Sequence, residues 1–139
     1  MTLEEINRMC QNTLISHLEI EFIDFGKNYV VAKMPVNSKK HQPMGVLHGG
    51  ASLALAETVG SAGSLFNVDP AKYNVLGLQV TGNHTSTISS GTLIARADLI
   101  HHGRTTHIWD VKITSEEGKL ISVARVTNII TEKIKKGED

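Results

Sequence analysis

Apolar residues change their spacing early in the chain. Between residues 2 and 17 they fall at helical intervals, which predicts one amphipathic opening helix with Thr2 as its N-cap. Apolar and polar residues then alternate over 18–24 and over 29–34, on either side of a glycine-containing turn, and this pattern predicts a β-hairpin. A loop is expected over 35–45.

The pattern of residues in the second half of the chain predicts a central helix followed by four strands. The helix spans about 50–66 and ends before Asn67, Asp69 and Pro70. The strands are expected at 74–84, 92–101, 106–114 and 120–131. This order is typical of an α+β fold with one antiparallel sheet. Residues 1–139 are long enough for a single domain and too short for two.

The central helix is apolar on every side. Leu53, Leu55, Val59 and Leu65 point in different directions around a helical wheel, so other elements must surround the helix. A curved antiparallel sheet wrapped around it satisfies this requirement. The helix is also rich in small residues, which allow neighbouring backbones to approach closely.

Composition narrows the choice of partners. The 14 basic residues balance 14 acidic ones, so the net charge is zero and neither a nucleic acid nor an anionic membrane surface is an expected partner. Cys10 is the single cysteine, which excludes an internal disulfide and favours a reducing, cytoplasmic location. The acidic first residues do not resemble a signal peptide, and no His, Asp or Glu set has metal-ligand spacing.

Glu57 is the most informative single residue. It is the only formally charged residue between Lys40 and Asp69, within a run of small and apolar residues. A carboxylate in such surroundings is ion-paired, protonated or catalytic, because an unpaired buried charge is costly. Ser61 lies one turn further along the same face, where its hydroxyl either holds a water molecule or serves only as a small packing residue.

The start of the central helix offers a second chemical group. His48 precedes Gly49 and Gly50, whose backbone N–H groups are unobstructed by side chains. Helix N-termini carry unpaired donors and a partial positive charge, which suits an oxygen that becomes negative during a reaction. The alternative is a tight turn with no chemical role.

Gly49 and Glu57 are eight residues apart, or about 12 Å along a continuous helix. One chain is therefore not expected to bring both groups to the same carbonyl. A two-fold dimer with antiparallel central helices would bring Glu57 of one chain close to Gly49 of the other.

These residues carry a family resemblance. The run QPMGVLHGGASLALAETVGS resembles the signature of hotdog-fold acyl-CoA thioesterases of the phenylacetate-pathway and Arthrobacter-type hydroxybenzoyl-CoA group, which includes dihydroxynaphthoyl-CoA and enterobactin-pathway proofreading thioesterases. GLQVTGNHTST, HHGRTTHIWDV and GKLISVARVTNII extend the similarity over nearly the whole chain from about residue 15. The resemblance implies hydrolysis of an acyl-CoA thioester. It does not carry over the acyl specificity, because Ala62 and Leu65 stand where pocket-shaping residues vary within the group; an aromatic or medium-chain acyl group is expected. The expected assembly is a homodimer, with a homotetramer of paired dimers as the larger alternative.

The resemblance also implies residue roles. Glu57 matches the nucleophile or general base, and Gly49 matches the donor to the thioester carbonyl. Gln42 and His48 match side chains that orient thioester and water, and Ser61 matches the hydroxyl that positions the water. Coenzyme A is part of the substrate, so no cofactor is expected.

The residues that match coenzyme A contacts are Gly77, His84, Thr85, Ser86, Thr87, His101, Gly103, Arg104, Thr105 and Thr106. Relatives often carry arginine where this chain has Thr85-Ser86-Thr87, so Arg104 or Arg96 is expected to supply the missing charge. Gly103 is expected to allow a sharp bend that exposes N–H groups. Two alternatives remain at this point, a non-catalytic acyl-CoA-binding hotdog protein and a hotdog hydratase.

Overall fold

The computed structural model describes residues 1–135, so the last four residues of the predicted domain lie outside the described part. It contains three α-helices, a short 3₁₀ helix and six strands. The helices are α1 (Leu3–Met9), α2 (Leu14–His17) and α3 (Gly49–Phe66), and the 3₁₀ helix is Ser38–Lys40. The strands are β1 (Glu21–Gly26), β2 (Tyr29–Val36), β3 (Tyr73–His84), β4 (Gly91–His102), β5 (Thr106–Ser115) and β6 (Leu120–Glu132).

The strands form one antiparallel sheet in the order β1-β2-β4-β5-β6-β3. The sheet curves around α3, which packs against every strand from β2 to β6. This confirms the predicted α+β hotdog architecture. One face of α3, from Ala54 to Leu65, is not covered by the sheet and lines a cavity instead.

Close packing between α3 and the sheet depends on two helix glycines. A Cβ atom at Gly60 would lie 2.8 Å from Val126 Cβ, and one at Gly63 would lie 2.6 Å from the Trp109 ring. Trp109 is fully buried, as expected for a core residue. Each mid-helix glycine costs about 1 kcal/mol relative to alanine, and packing offsets that cost here because alanine would not fit.

The predicted single opening helix is wrong. Thr2 is the N-cap of α1, as predicted, and forms a capping box with Glu5, but the helix ends at Met9. Asn12 adopts a left-handed conformation (φ 61°), and Thr13 then caps the separate helix α2. Asparagine tolerates this conformation better than most residues, and a threonine at an N-cap competes with continuation of the first helix.

The first strand begins later than the alternating pattern predicted. Leu18 ends α2, and Glu19 has a positive φ of 61°, so regular strand geometry starts only at Glu21. Among residues 1–135, no helix has the length and apolar character needed to cross a membrane.

Candidate active site

Glu57 lies on the uncovered face of α3 and lines a cavity of about 600 Å³. The cavity lies between α3 and the N-terminal helices, with apolar walls that include Ile6, Leu14 and Leu65. Glu57 Oε1 lies against Gly77 on β3, so closely that a Cβ atom at that position would collide with it. Within residues 1–135 Glu57 has no ion-pair partner, which removes the paired-carboxylate interpretation.

Ser61 lines the same cavity one turn after Glu57. Its hydroxyl group contacts the side-chain oxygen of Asn128 on β6, with an Oγ–Oδ1 distance of 3.4 Å. Ser61 therefore has a polar neighbour in the sheet as well as access to the space in front of Glu57.

The start of α3 leaves one backbone donor free. His48 is the N-cap, and its Nδ1 accepts a hydrogen bond from the Gly50 N–H at 2.8 Å. The Ala51 N–H bonds to the His48 carbonyl at 3.0 Å. In the described chain, the Gly49 N–H is thus the donor of this turn that has no partner and is available to an external oxygen.

Gln42 lies in a tight turn that is tied to the same helix start. Its side-chain carbonyl accepts a hydrogen bond from the Met44 N–H, which leaves the side-chain NH₂ group as a donor. The His48 N–H bonds to the Lys40 carbonyl at 2.8 Å, so the turn and the N-cap are held together. Gln42 thus lies in the loop that leads into α3, and His48 Nδ1 is engaged by the Gly50 N–H.

Gly49 and Glu57 belong to one uninterrupted helix, as predicted. Their backbones are therefore about 12 Å apart along the helix axis. Within one chain the two groups face different regions, one the exposed helix start and the other the apolar cavity.

The first group of predicted coenzyme A residues lies near the start of α3. A Cβ atom at Gly49 would lie 2.5 Å from His84 Nε2, so this imidazole is packed against the glycine, while its Nδ1 is 2.8 Å from Ser122 Oγ. The Thr85 hydroxyl donates to the Leu120 carbonyl, and the Thr85 and Ser86 N–H groups both bond to the Ile121 carbonyl. Thr87 follows as an exposed residue.

The second group lies at the opposite end of α3. Arg104 lines a separate cavity of about 400 Å³ with Asn67, the C-cap of α3, and with Asp69 and Glu132. Since α3 has 18 residues and is about 27 Å long, the two groups do not meet within one chain. The nearby carboxylates also reduce the positive potential around Arg104.

The turn that carries this second group differs from expectation in one respect. The Gly103 N–H is not exposed, because it donates to the Thr106 carbonyl at 2.9 Å. The Thr105 carbonyl is also occupied, since it accepts the Ile130 N–H at 2.8 Å. A Cβ atom at Gly103 would lie 2.7 Å from His101 Nε2, so the glycine is required by crowding at the turn. Arg96 is bound to Asp98 and lies over the Tyr29 ring, so its charge is already neutralised locally.

Sequence reasoning missed a buried polar cluster next to Ser61. It consists of His107, Asn128 and Ser64, joined by the indole N–H of Trp109, and all four side chains are at most 1% exposed. The available signal was the presence of His107 and Asn128 at inward-facing positions of otherwise apolar strands. Burial lowers the pKa of His107 to about 4, helped by the neighbouring His102 and His101.

No group of three metal-ligating side chains occurs among the residues that the structure describes.

Known proteins resemble this chain in both sequence and fold. Residues 44–122 match the Thioesterase superfamily model. The proofreading thioesterase EntH of Cronobacter turicensis is 35% identical over 130 residues, which cover 94% of each chain. A thioesterase crystal structure from Haemophilus influenzae superposes with a TM-score of 0.92 at 40% identity, covering 99% of this chain and 96% of that one.

A mutant thioesterase from Pseudomonas aeruginosa superposes with a TM-score of 0.93 at 41% identity, covering 96% of both chains. The matched family segment includes the helix start, Glu57, Ser61 and Gly77. Both the sequence signature and the curved sheet around α3 are thus shared with enzymes that cleave thioesters. The chain belongs to the Thioesterase superfamily and is a hotdog-fold thioesterase.

Proposed function

We propose that this thioesterase hydrolyses acyl-CoA thioesters and that Glu57 is its general base. The observation that carries the proposal is the unpaired Glu57 carboxylate in the wall of a large apolar cavity. Such a cavity suits an acyl group, while the carboxylate suits activation of water beside the thioester carbon. Membership in the Thioesterase superfamily favours hydrolysis over the two alternatives, which are non-catalytic binding of an acyl-CoA and a hydratase reaction.

The proposed reaction adds water to the thioester carbonyl. Glu57 removes a proton as the water oxygen bonds to the carbonyl carbon, and the Gly49 N–H donates to the oxygen that becomes negative. Collapse of this intermediate breaks the C–S bond, and the thiolate of coenzyme A leaves and takes up a proton. Ser61 holds the attacking water, and Gln42 and His48 orient the thioester.

An aromatic or medium-chain acyl group fits the cavity walls. The walls combine aliphatic side chains of the N-terminal helices with Phe22 and Tyr73. Burial of an acyl group against these walls supplies binding energy in proportion to the apolar area removed from water.

A homodimer would supply the missing half of each site. β3 is an edge strand of 12 residues, and its Leu76 and Leu78 are 56% and 63% exposed. Long apolar edges are normally covered, and pairing of β3 with its two-fold copy would cover this one. A two-fold axis normal to the sheet also reverses the direction of α3, so that Glu57 of one protomer faces the helix start of the other.

The nucleotide end of the ligand requires charges or donors at the site mouth. We assign this role to His84–Thr87 and to the 101–106 turn, which a dimer or a dimer of dimers would bring from different chains. Gly77 lets the Glu57 carboxylate pack directly against the β3 backbone, where any larger residue would displace it. The reaction requires no cofactor beyond the substrate's own coenzyme A, and the unpaired thiol of Cys10 suits the cytoplasm.

Release of free thiol from benzoyl-CoA and from a panel of aliphatic acyl-CoA thioesters tests the proposal. Glu57→Gln is expected to lower kcat by about 10²-fold or more, because it keeps the shape of the side chain and removes the base. Glu21→Gln, at an exposed carboxylate paired with Lys33, is the matched control and should retain kcat. Wild-type turnover by Glu57→Gln would rule out the assignment.

Glu57→Asp distinguishes two roles for the carboxylate. Aspartate keeps the carboxylate but shortens the side chain by one methylene group. If the carboxylate is a base that acts through water, kcat should fall only moderately. Complete loss would instead indicate that Glu57 attacks the carbonyl carbon directly.

A further inference from the structure

A row of residues crosses three strands beneath one face of α3. His107 on β5 is paired in register with Asn128 on β6, and Asn128 is paired with Gly77 on β3. On the helix above them, Glu57 lies against Gly77, and Ser61 contacts Asn128. The catalytic face of the helix is therefore in direct contact with a polar track in the sheet.

Ser64 extends this contact to His107. Its Oγ lies 2.9 Å from Trp109 Nε1, 2.8 Å from Asn128 Nδ2 and 2.9 Å from His107 Nδ1. The indole and amide nitrogens only donate, so they use both lone pairs of the hydroxyl oxygen. The Ser64 hydrogen must then be donated to His107 Nδ1, which requires a neutral imidazole with its proton on Nε2.

The orientation of the Asn128 amide follows from its contact with the helix backbone. Asn128 Nδ2 lies 3.1 Å from the Gly60 carbonyl oxygen, which can only accept a hydrogen bond. The nitrogen must therefore face Gly60 and Ser64, and Oδ1 must face Ser61. Because Oδ1 only accepts, the Ser61 hydroxyl donates its hydrogen to Asn128 and directs its lone pairs toward the cavity.

Without this acceptor, Ser61 would have a local alternative. Thr58 shows it one turn earlier, because its hydroxyl donates to the Ala54 carbonyl at 2.6 Å. The equivalent rotamer of Ser61 would donate to the Glu57 carbonyl and turn the oxygen away from its present position. Asn128 gives Ser61 an acceptor in the sheet instead.

We propose that Asn128 is a positioning residue for hydrolysis, which fixes Ser61 Oγ as the hydrogen-bond acceptor for the water that Glu57 activates. This inference rests on the function proposed above. A water that donates one hydrogen to Ser61 and the other to Glu57 has its lone pairs free for the thioester carbon. A Ser61 hydroxyl that rotated freely would hold the water in several orientations, of which only some lead to attack.

The test measures kcat and KM for an acyl-CoA thioester in a double-mutant cycle. Asn128→Ala is expected to lower kcat about tenfold with little change in KM, since the substrate-binding groups stay in place. In a Ser61→Ala background the same substitution should change kcat by less than about twofold, because the group it acts through is absent. An equal loss in both backgrounds would overturn the proposal.

Val126→Ala is the matched control for loss of packing between β6 and α3. Val126 is buried, contacts Gly60 and faces the same helix as Asn128, but it has no polar group. It should lower the melting temperature while kcat of the folded enzyme stays within about twofold of wild type. A Val126→Ala loss of kcat as large as that of Asn128→Ala would show that general packing, and not Asn128, controls the rate.

A high-resolution crystal structure of the wild-type enzyme tests the same proposal without a variant, in case Asn128→Ala does not fold. The expected result is a water within hydrogen-bond distance of both Ser61 Oγ and Glu57, with Ser61 still directed at Asn128. A Ser61 hydroxyl that donates to the backbone carbonyl of Glu57 instead of to Asn128 would overturn the proposal. If the proposed function were wrong, Glu57→Gln would retain wild-type turnover. That result is distinguishable from a failure of the Asn128 proposal alone, in which Glu57→Gln would still be impaired.

Discussion

Two ionisable residues of this chain, Glu57 and His107, have opposite surroundings. Glu57 keeps contact with a cavity and has no charged partner in the described chain, so it is free to act on a ligand. His107 is almost fully buried, and its Nδ1 is committed to the Ser64 hydroxyl. A protonated His107 would present a donor to a hydroxyl whose lone pairs already accept two hydrogen bonds.

This conflict predicts a specific pH dependence of stability. The pKa of His107 is about 4 in the folded chain, against an ordinary value of 6.5. Between these values the unfolded state binds more protons, so the free energy of unfolding falls as pH decreases, by about 3 kcal/mol at most, and above pH 7 the contribution is constant. Chemical denaturation at a series of pH values measures this change in the free energy of unfolding.

His107→Asn separates this contribution from those of other titrating groups. The amide oxygen can still accept the Ser64 hydrogen and does not titrate, so the variant should lose less stability than wild type between pH 7 and pH 4. The exposed His17→Asn variant is the control and should follow the wild-type profile. Parallel profiles for wild type and His107→Asn would contradict the prediction.

At the residue level, the sequence predicted chemistry best where a residue stood out from its surroundings. Glu57 was recognisable because charge is absent on both sides of it for many positions. Asn128 stood out only as a polar residue at an inward-facing position of an apolar strand, and its role was not predictable, because that role depends on register with His107 and Gly77 across three strands. Hydrogen-bond direction is a property of the assembled cluster and has no counterpart in spacing along the chain.

At the level of elements, long periodic segments were predicted well and short ones were not. The central helix and the last four strands were predicted to within a few residues, since each has a sustained pattern. The opening helix was wrong because Asn12 and Thr13 interrupt a pattern that remains helical in its apolar spacing. Local backbone preferences decided that boundary.

The junction between α2 and β1 is joined to the loop before α3 by a buried ammonium group. Lys40 is 2% exposed, and its Nζ lies 2.9 Å from Glu19 Oε1, which also accepts the Asn37 side-chain N–H. These contacts keep the pKa of Glu19 below its usual value. The pair connects the chain beside Leu18, in the wall of the cavity next to Glu57, with the loop that carries Gln42.

Glu19→Gln is expected to lower the melting temperature by about 5 °C, because it leaves the buried Lys40 ammonium without its counter-charge. Adding Lys40→Met should recover much of this loss, since the remaining side chains then carry no buried charge. Glu4→Gln, which removes an exposed pair with Arg8, is the control and should change the melting temperature little. Additive losses in the double variant would contradict the prediction.

At the scale of the whole molecule, the proposed dimer is motivated by two features of the described chain. Its exposed edge strand carries Leu76 and Leu78, and its two candidate catalytic groups face different regions of one helix. Neither feature is explained by the isolated chain. The proposed two-fold dimer would account for both, since each site would take Glu57 from one protomer and Gly49 and Gln42 from the other.

Subunit mixing tests this arrangement. Glu57→Ala and Gln42→Ala homodimers are each expected to have little activity, because every site in them lacks one group. In a mixed dimer, one site combines Glu57 of the Gln42→Ala chain with Gln42 of the Glu57→Ala chain and is therefore complete. The other site lacks both residues. Random exchange at equal concentrations makes about half of the dimers mixed, so about a quarter of wild-type activity should return.

Mixing Glu57→Ala with Glu57→Gln is the matched control, because both sites of every dimer then lack the carboxylate and no activity should return. Co-purification of differently tagged chains confirms that exchange has occurred. If exchange is complete and the Glu57→Ala and Gln42→Ala mixture stays inactive, each site lies within one chain. The 12 Å separation along α3 would then have to be bridged by the substrate itself, with Gly49 removed from the reacting carbonyl.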